Sequence, residues 1–124
     1  MYTLFQVALG GAIGASARYL IGMAIVRAVG GGFPVAVLSI NVVGSFLMGV
    51  FVVAAQKNGF TSLSPLVMTG ILGGFTTFSA FSLEAVTLME RNLIGQAALY
   101  IALSVILSIG GLILGLAIAR GIWA

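Results

Sequence analysis

Four long apolar runs, separated by short polar punctuation, leave this chain almost no choice of environment. The first extends from about Leu4 to Val26 and is interrupted only by Arg18. The second, Val35 to Ala55, carries no charge. The third runs from about Ser64 to Met89, with Pro65 at a natural helix start, and the fourth from about Leu93 to Ala119. A helix needs about 20 apolar residues to cross a bilayer, so each run can cross. The connections are short: Gly30-Gly31-Gly32-Phe33-Pro34, Gln56-Lys57-Asn58-Gly59 and Glu90-Arg91-Asn92. Charged residues are 6% of the chain, against about 25% in a soluble domain. The expected fold is an all-α membrane protein. It has a single transmembrane domain over residues 1–124, with helices at about 4–26, 35–55, 64–89 and 93–119. The first run is too long for a signal-peptide core and lacks a basic leader, so it is expected to stay as a helix.

The residue types that are missing narrow the chemistry. The sequence has no cysteine and no histidine, and Glu84 and Glu90 are its only acids. Neither a catalytic metal site nor a Ser-His-Asp triad can be built within one such chain. No enzyme activity and no organic cofactor are expected. A net charge of +3, scattered along the chain, excludes nucleic acid as a partner.

Orientation is balanced. Four crossings place both termini and the Gln56–Gly59 loop on one side, with Lys57 and Arg120. The other side holds Arg27 and Arg91, plus Arg18 if it leans that way. Orientation normally follows an excess of Lys and Arg on one side. Here there is almost none. Either a small bias settles one orientation, or the chain inserts both ways and pairs as an antiparallel homodimer.

The third run is apolar overall, yet Gly70 to Glu84 reads Gly-Ile-Leu-Gly-Gly-Phe-Thr-Thr-Phe-Ser-Ala-Phe-Ser-Leu-Glu. Glycine and β-branched residues weaken a helix. The stretch from Gly73 to Thr77 reads as a helix broken in mid-membrane. A break at that depth survives only when buried in protein or lining a polar cavity, where freed carbonyls and amides can bind ions. The alternative is a kinked, tightly packed helix with its hydroxyls bonded back to the backbone.

The other runs carry polar residues in register. Gly10, Gly14, Arg18 and Gly22 share one face of the first, a strip that admits a close neighbour. Arg18 either marks an ion pathway or snorkels to a structural partner. In the second run Asn41 and Ser45 are one turn apart. The Asn41 amide could meet an anion or bond to a neighbouring helix. In the fourth, Tyr100, Ser104 and Ser108 form one hydroxyl stripe along about 12 Å of helix. In the third, Phe78 and Phe81 project from one face with Ser82 beside them. They either fill space or turn positive ring edges toward an anion. Glu84, one turn beyond, is a functional candidate because an acid in a span is costly.

At this point the sequence resembles the Fluc (CrcB-like) fluoride channels of bacteria. The residues that carry the resemblance are Gly73 to Ser82 with Glu84, Gly11 to Tyr19 with Arg18, Asn41-Val42-Val43-Gly44-Ser45, and Tyr100 with Ser104 and Ser108. The similarity covers nearly the whole chain. It implies passive fluoride export across the bacterial cell membrane by an antiparallel, dual-topology homodimer with two pores. It also implies a central structural sodium ion held by backbone carbonyls matching Gly73 and Thr76. The family's phenylalanine box matches Phe78 and Phe81, and its pore asparagine matches Asn41. Its polar track matches Ser79, Tyr100, Ser104 and Ser108, with Ser82 adjacent, and its acid matches Glu84. Arg18 matches a vestibule or structural charge. The family usually has Thr where this chain has Ala80, so one hydroxyl of the track is missing.

Fluoride is small and strongly hydrated, and a pore must replace its water with hydrogen-bond donors. The chain offers neutral donors, which favour passage over capture. Two other readings are a small four-helix, dual-topology, proton-coupled exporter and a non-transporting assembly module. Exporters of that kind rely on an acid in the first helix, where this chain has Arg18. An assembly module leaves the hydroxyl stripe without a role.

Overall fold

The computed structural model describes residues 1–123. They form four spans: helix α1 (Tyr2–Val29), helix α2 (Val35–Asn58), a composite third span (Thr61–Glu90) and a fourth that is α5 (Ile94–Ile122). The third span opens with a 3-10 turn (Thr61–Leu63) and a π-wound segment (Pro65–Leu72). These lead to a single α turn, α3 (Gly73–Phe75), and after a break to α4 (Phe78–Glu90). Helices α1 and α2 overrun the expected ends because a helix stops where its backbone can turn, not where its apolar residues stop. Gly59 takes the left-handed conformation (φ 77°, ψ 24°) and returns its N–H to Ala55, ending α2 after the polar Gln56-Lys57-Asn58.

The spans pack in a definite order. Helix α2 lies along α5, α1 lies along the π-wound segment and α3, and α4 packs on α5. The glycine strip of α1 has the close neighbour expected: Gly10 and Gly14 meet the third span, and Gly22 looks toward Ile40 of α2. Gly14 is buried, and a Cβ on it would overlap the Ile71 carbonyl. This backbone-to-backbone contact places Arg18, one turn on, beside the end of α3. The π winding of Pro65–Leu72 was not legible in the sequence.

A small core lies between α4 and α5: Ala85, Leu88, Ala97 and Tyr100, covered by Phe33, Leu38, Phe81, Leu93 and Ile101. Outward-facing Leu4, Phe5, Ile106 and Ile113 are all exposed. Four apolar spans require such an outer surface in lipid.

Candidate ion pathway

The break falls at the end of the expected stretch. Gly73 is helical (φ −64°, ψ −37°), whereas Thr76 (ψ 158°) and Thr77 (φ −151°, ψ 120°) are extended. Gly74 serves approach rather than breakage, since a Cβ on it would sit 2.9 Å from the Gly11 carbonyl. The break itself is a helix start. Thr77 is the N-cap of α4, and its hydroxyl accepts the Ala80 N–H at 3.2 Å.

Two side chains from neighbouring helices hold this break. Asn41 of α2 donates from Nδ2 to the Thr77 carbonyl at 3.0 Å and accepts the Thr77 N–H on Oδ1 at 2.8 Å. In a continuing helix that N–H would go to the Gly73 carbonyl. Arg18 of α1 donates from Nε to the Gly74 carbonyl at 3.1 Å, placing its positive charge at the negative end of the first half-span. Arg18 thus has a partner within the protein. Thr76 donates its hydroxyl back to Leu72 at 2.9 Å.

Beyond the break, α2, α4 and α5 enclose an open groove of about 370 Å³. Asn41 and Ser45 line it from α2, Thr76 and Thr77 from the break, Phe78 and Phe81 from α4, and Ser104 and Ser108 from α5. The Phe78 and Phe81 rings lie 5.4 Å apart, tilted by 48°. Tyr100 does not line the groove; it is wholly buried behind Phe81, with ring centroids 5.3 Å apart. The hydroxyls of Tyr100, Ser104 and Ser108 are buried without any hydrogen-bond partner among the described residues. A buried donor left unmade costs about 1–3 kcal/mol. Of the three, Ser104 and Ser108 line the groove.

The remaining sequence-derived residues separate from this groove. Ser82 donates its hydroxyl to Phe78 of its own helix at 3.0 Å, and Ser79 is exposed with its hydroxyl 3.3 Å from that of Thr77. Neither lines the groove. Glu84 lines a second cavity, of about 450 Å³, together with Arg18, Arg27, Thr77 and Ala80. The α4 face Thr77–Ala80–Glu84 therefore turns toward α1, while Phe78 and Phe81 turn toward α5. Gly73 is exposed.

A model of the family described as CrcB-like protein, Camphor Resistance (CrcB), matches residues 5–116. The chain belongs to the CrcB-like family. Curated relatives of this CrcB-like chain run almost end to end with it. One from Ruegeria sp. (strain TM1040), named fluoride-specific ion channel FluC, is 66% identical over 98% of both chains. That of Roseobacter denitrificans, with the same name, is 62% identical over 99% of both. A further one, from Agrobacterium fabrum, is 46% identical over 99% of this chain and 100% of its own. The CrcB-like chain is a multi-pass protein of the bacterial inner membrane.

Two site features of the CrcB-like chain were missed in sequence. Thr77 reads as part of the break but not as a cap, although Thr followed by three residues that resume a helical pattern is an N-cap signal. Phe33 reads as loop, yet its ring packs edge-on against Tyr100 at 5.6 Å and 87°. Only a tertiary contact reveals it.

Proposed function

We infer that this chain is a fluoride-selective channel that exports fluoride passively and so lowers cytoplasmic fluoride. The observation that carries the reading is the groove in which the Phe78–Phe81 pair meets Ser104 and Ser108, whose buried hydroxyls are unpartnered. It occurs in a chain whose near-full-length relatives are named fluoride-specific ion channels. Fluoride sheds water only where donors replace it. Ser104, Ser108 and the Nδ2 hydrogen of Asn41 that Thr77 does not take can supply them. Phenyl rings add the positive edge of their quadrupole. In acid surroundings hydrogen fluoride enters across the bilayer and dissociates in the less acid cytoplasm, and the membrane potential drives the trapped anion out through the channel.

The functional unit is an antiparallel, dual-topology homodimer. Phe78, 79% exposed, and the exposed Ser79 and Gly73 lie at mid-span, where polar groups face protein or water rather than lipid. A second copy would cover them and close the open side of the groove, giving two pores. The near-equal Lys and Arg count on the two sides permits both insertions.

A structural sodium fits the break. Among the described residues no cluster of acids could hold a metal, so only backbone oxygens can serve. The Gly73 carbonyl has lost its helical donor to Asn41, and Thr76 is extended, which turns its carbonyl off the helix axis. Gly73 and Thr76 of two copies would hold the ion, which supplies positive charge between the subunits. Liposomes loaded with fluoride and followed with a fluoride electrode test the function. Rapid efflux that excludes chloride and needs no proton gradient is expected, and proton-coupled cation exchange would overturn it.

A further inference from the structure

The hydroxyl stripe begins at Tyr100, whose polar neighbour is Ser104, one turn on. The Tyr100 side chain is 0% exposed. With no hydrogen bond of full geometry on its hydroxyl, its ring is oriented chiefly by packing. Two rings do this. Phe81 of α4 lies against it at 5.3 Å with a tilt of 42°, and Phe33 meets it edge-on at 5.6 Å and 87°. Phe78, Phe81, Tyr100 and Phe33 thus form one row of rings with centroid steps of 5.4, 5.3 and 5.6 Å. The row starts in the groove and ends outside the helices.

Phe33 is the odd member. It belongs to the loop between α1 and α2, after Gly30, Gly31 and Gly32, which are exposed and touch nothing that a Cβ would meet. Gly30 is left-handed (φ 82°), so the loop can fold back sharply. Phe33 is then anchored from the other side: its carbonyl accepts the Val35 N–H at 2.8 Å as α2 begins at Pro34. The ring reaches the core of Ala85, Leu88, Ala97 and Tyr100. An edge-to-face contact has directional preference that an aliphatic side chain lacks.

We infer that Phe33 is a positioning residue for Tyr100: the perpendicular contact between the two rings holds the Tyr100 ring against Phe81, so that the buried hydroxyl heads the column continued by Ser104 and Ser108. This rests on the fluoride-channel reading and extends it to a residue of the loop. It makes the α1–α2 loop part of the conducting machinery at the Tyr100 end of the column.

The test compares Phe33→Leu, Phe33→Met and Phe33→Trp with wild type in liposomes by fluoride electrode, each first checked for a single peak by size-exclusion chromatography. Leu and Met keep apolar bulk and lose the ring; Trp keeps a ring edge. Fluoride efflux is expected to fall roughly two- to tenfold in Phe33→Leu and Phe33→Met, as loss of one ring contact implies, and to return near wild type in Phe33→Trp. Wild-type efflux from whichever of the Leu and Met variants folds would overturn the inference. Equal loss in the Trp variant would do so too, since any disturbance of the loop would then suffice. No efflux from wild type would instead remove the channel reading itself.

Discussion

Asn41 offers a sharp perturbation because its two hydrogen bonds both go to one residue. Nδ2 and Oδ1 hold the Thr77 carbonyl and N–H at 3.0 and 2.8 Å, in a part-buried setting at the helix break. Asn41→Leu keeps similar bulk and removes both. Each orphaned backbone group costs about 1–3 kcal/mol, so the loss is about 2–6 kcal/mol, enough to unfold a marginal protein. Asn41→Asp keeps an acceptor for the Thr77 N–H but sets a carboxylate at mid-span against the Thr77 carbonyl, a cost of its own, so it is expected to be destabilised at least as much. Its charge would still repel an anion in the groove, and fluoride flux is expected to vanish. Thermal unfolding in detergent measures the first effect, and liposome efflux the second. If Asn41 were only an ion ligand, Asn41→Leu would place an apolar side chain in an apolar span and fold as well as wild type. A wild-type melting temperature for that variant would refute the clamp.

Other substitutions probe the rest of the site. Phe81→Ile is expected to lose most fluoride efflux with the fold intact, and Phe78→Ile to follow less severely, because isoleucine has bulk without a quadrupole; the fluoride electrode decides. Arg18→Met strips the charged donor from the Gly74 carbonyl and is expected to cost about 1.5–3 kcal/mol in chemical denaturation, with Arg18→Lys recovering part. Two lysines added to the Gly30–Pro34 loop are expected to bias insertion to one side, which C-terminal reporter fusions detect, and to reduce flux.

The four spans were legible because apolar length alone determines them, and so was the hydroxyl stripe, because its period is that of a helix. The break was legible in place but not in cause. Gly73 and Gly74 attract attention as helix breakers, yet both stay helical and Gly74 lies close against α1; the chain actually opens at Thr76 and Thr77, where a cap and the Asn41 amide replace the helical bonds. Glu84 lies one turn beyond Phe81, only about 60° around the helix, yet the two line different cavities, because the boundary between the cavities falls between them. Ser82 resembles a groove donor until its bond to Phe78 is seen. Partners that lie far apart in the chain, such as Arg18 with Gly74 or Phe33 with Tyr100, leave no mark in local pattern.

The route itself can be tested directly because the chain has no cysteine. Ser108→Cys places one thiol in the groove, and Ile113→Cys places one on the outer surface, at a side chain that is 58% exposed. Silver ions, small and thiol-seeking, are added during fluoride efflux from liposomes. A pathway through the groove predicts that silver stops efflux in Ser108→Cys and leaves both wild type and Ile113→Cys unchanged. Undiminished efflux from Ser108→Cys protein shown by mass spectrometry to carry silver would mean that fluoride travels elsewhere.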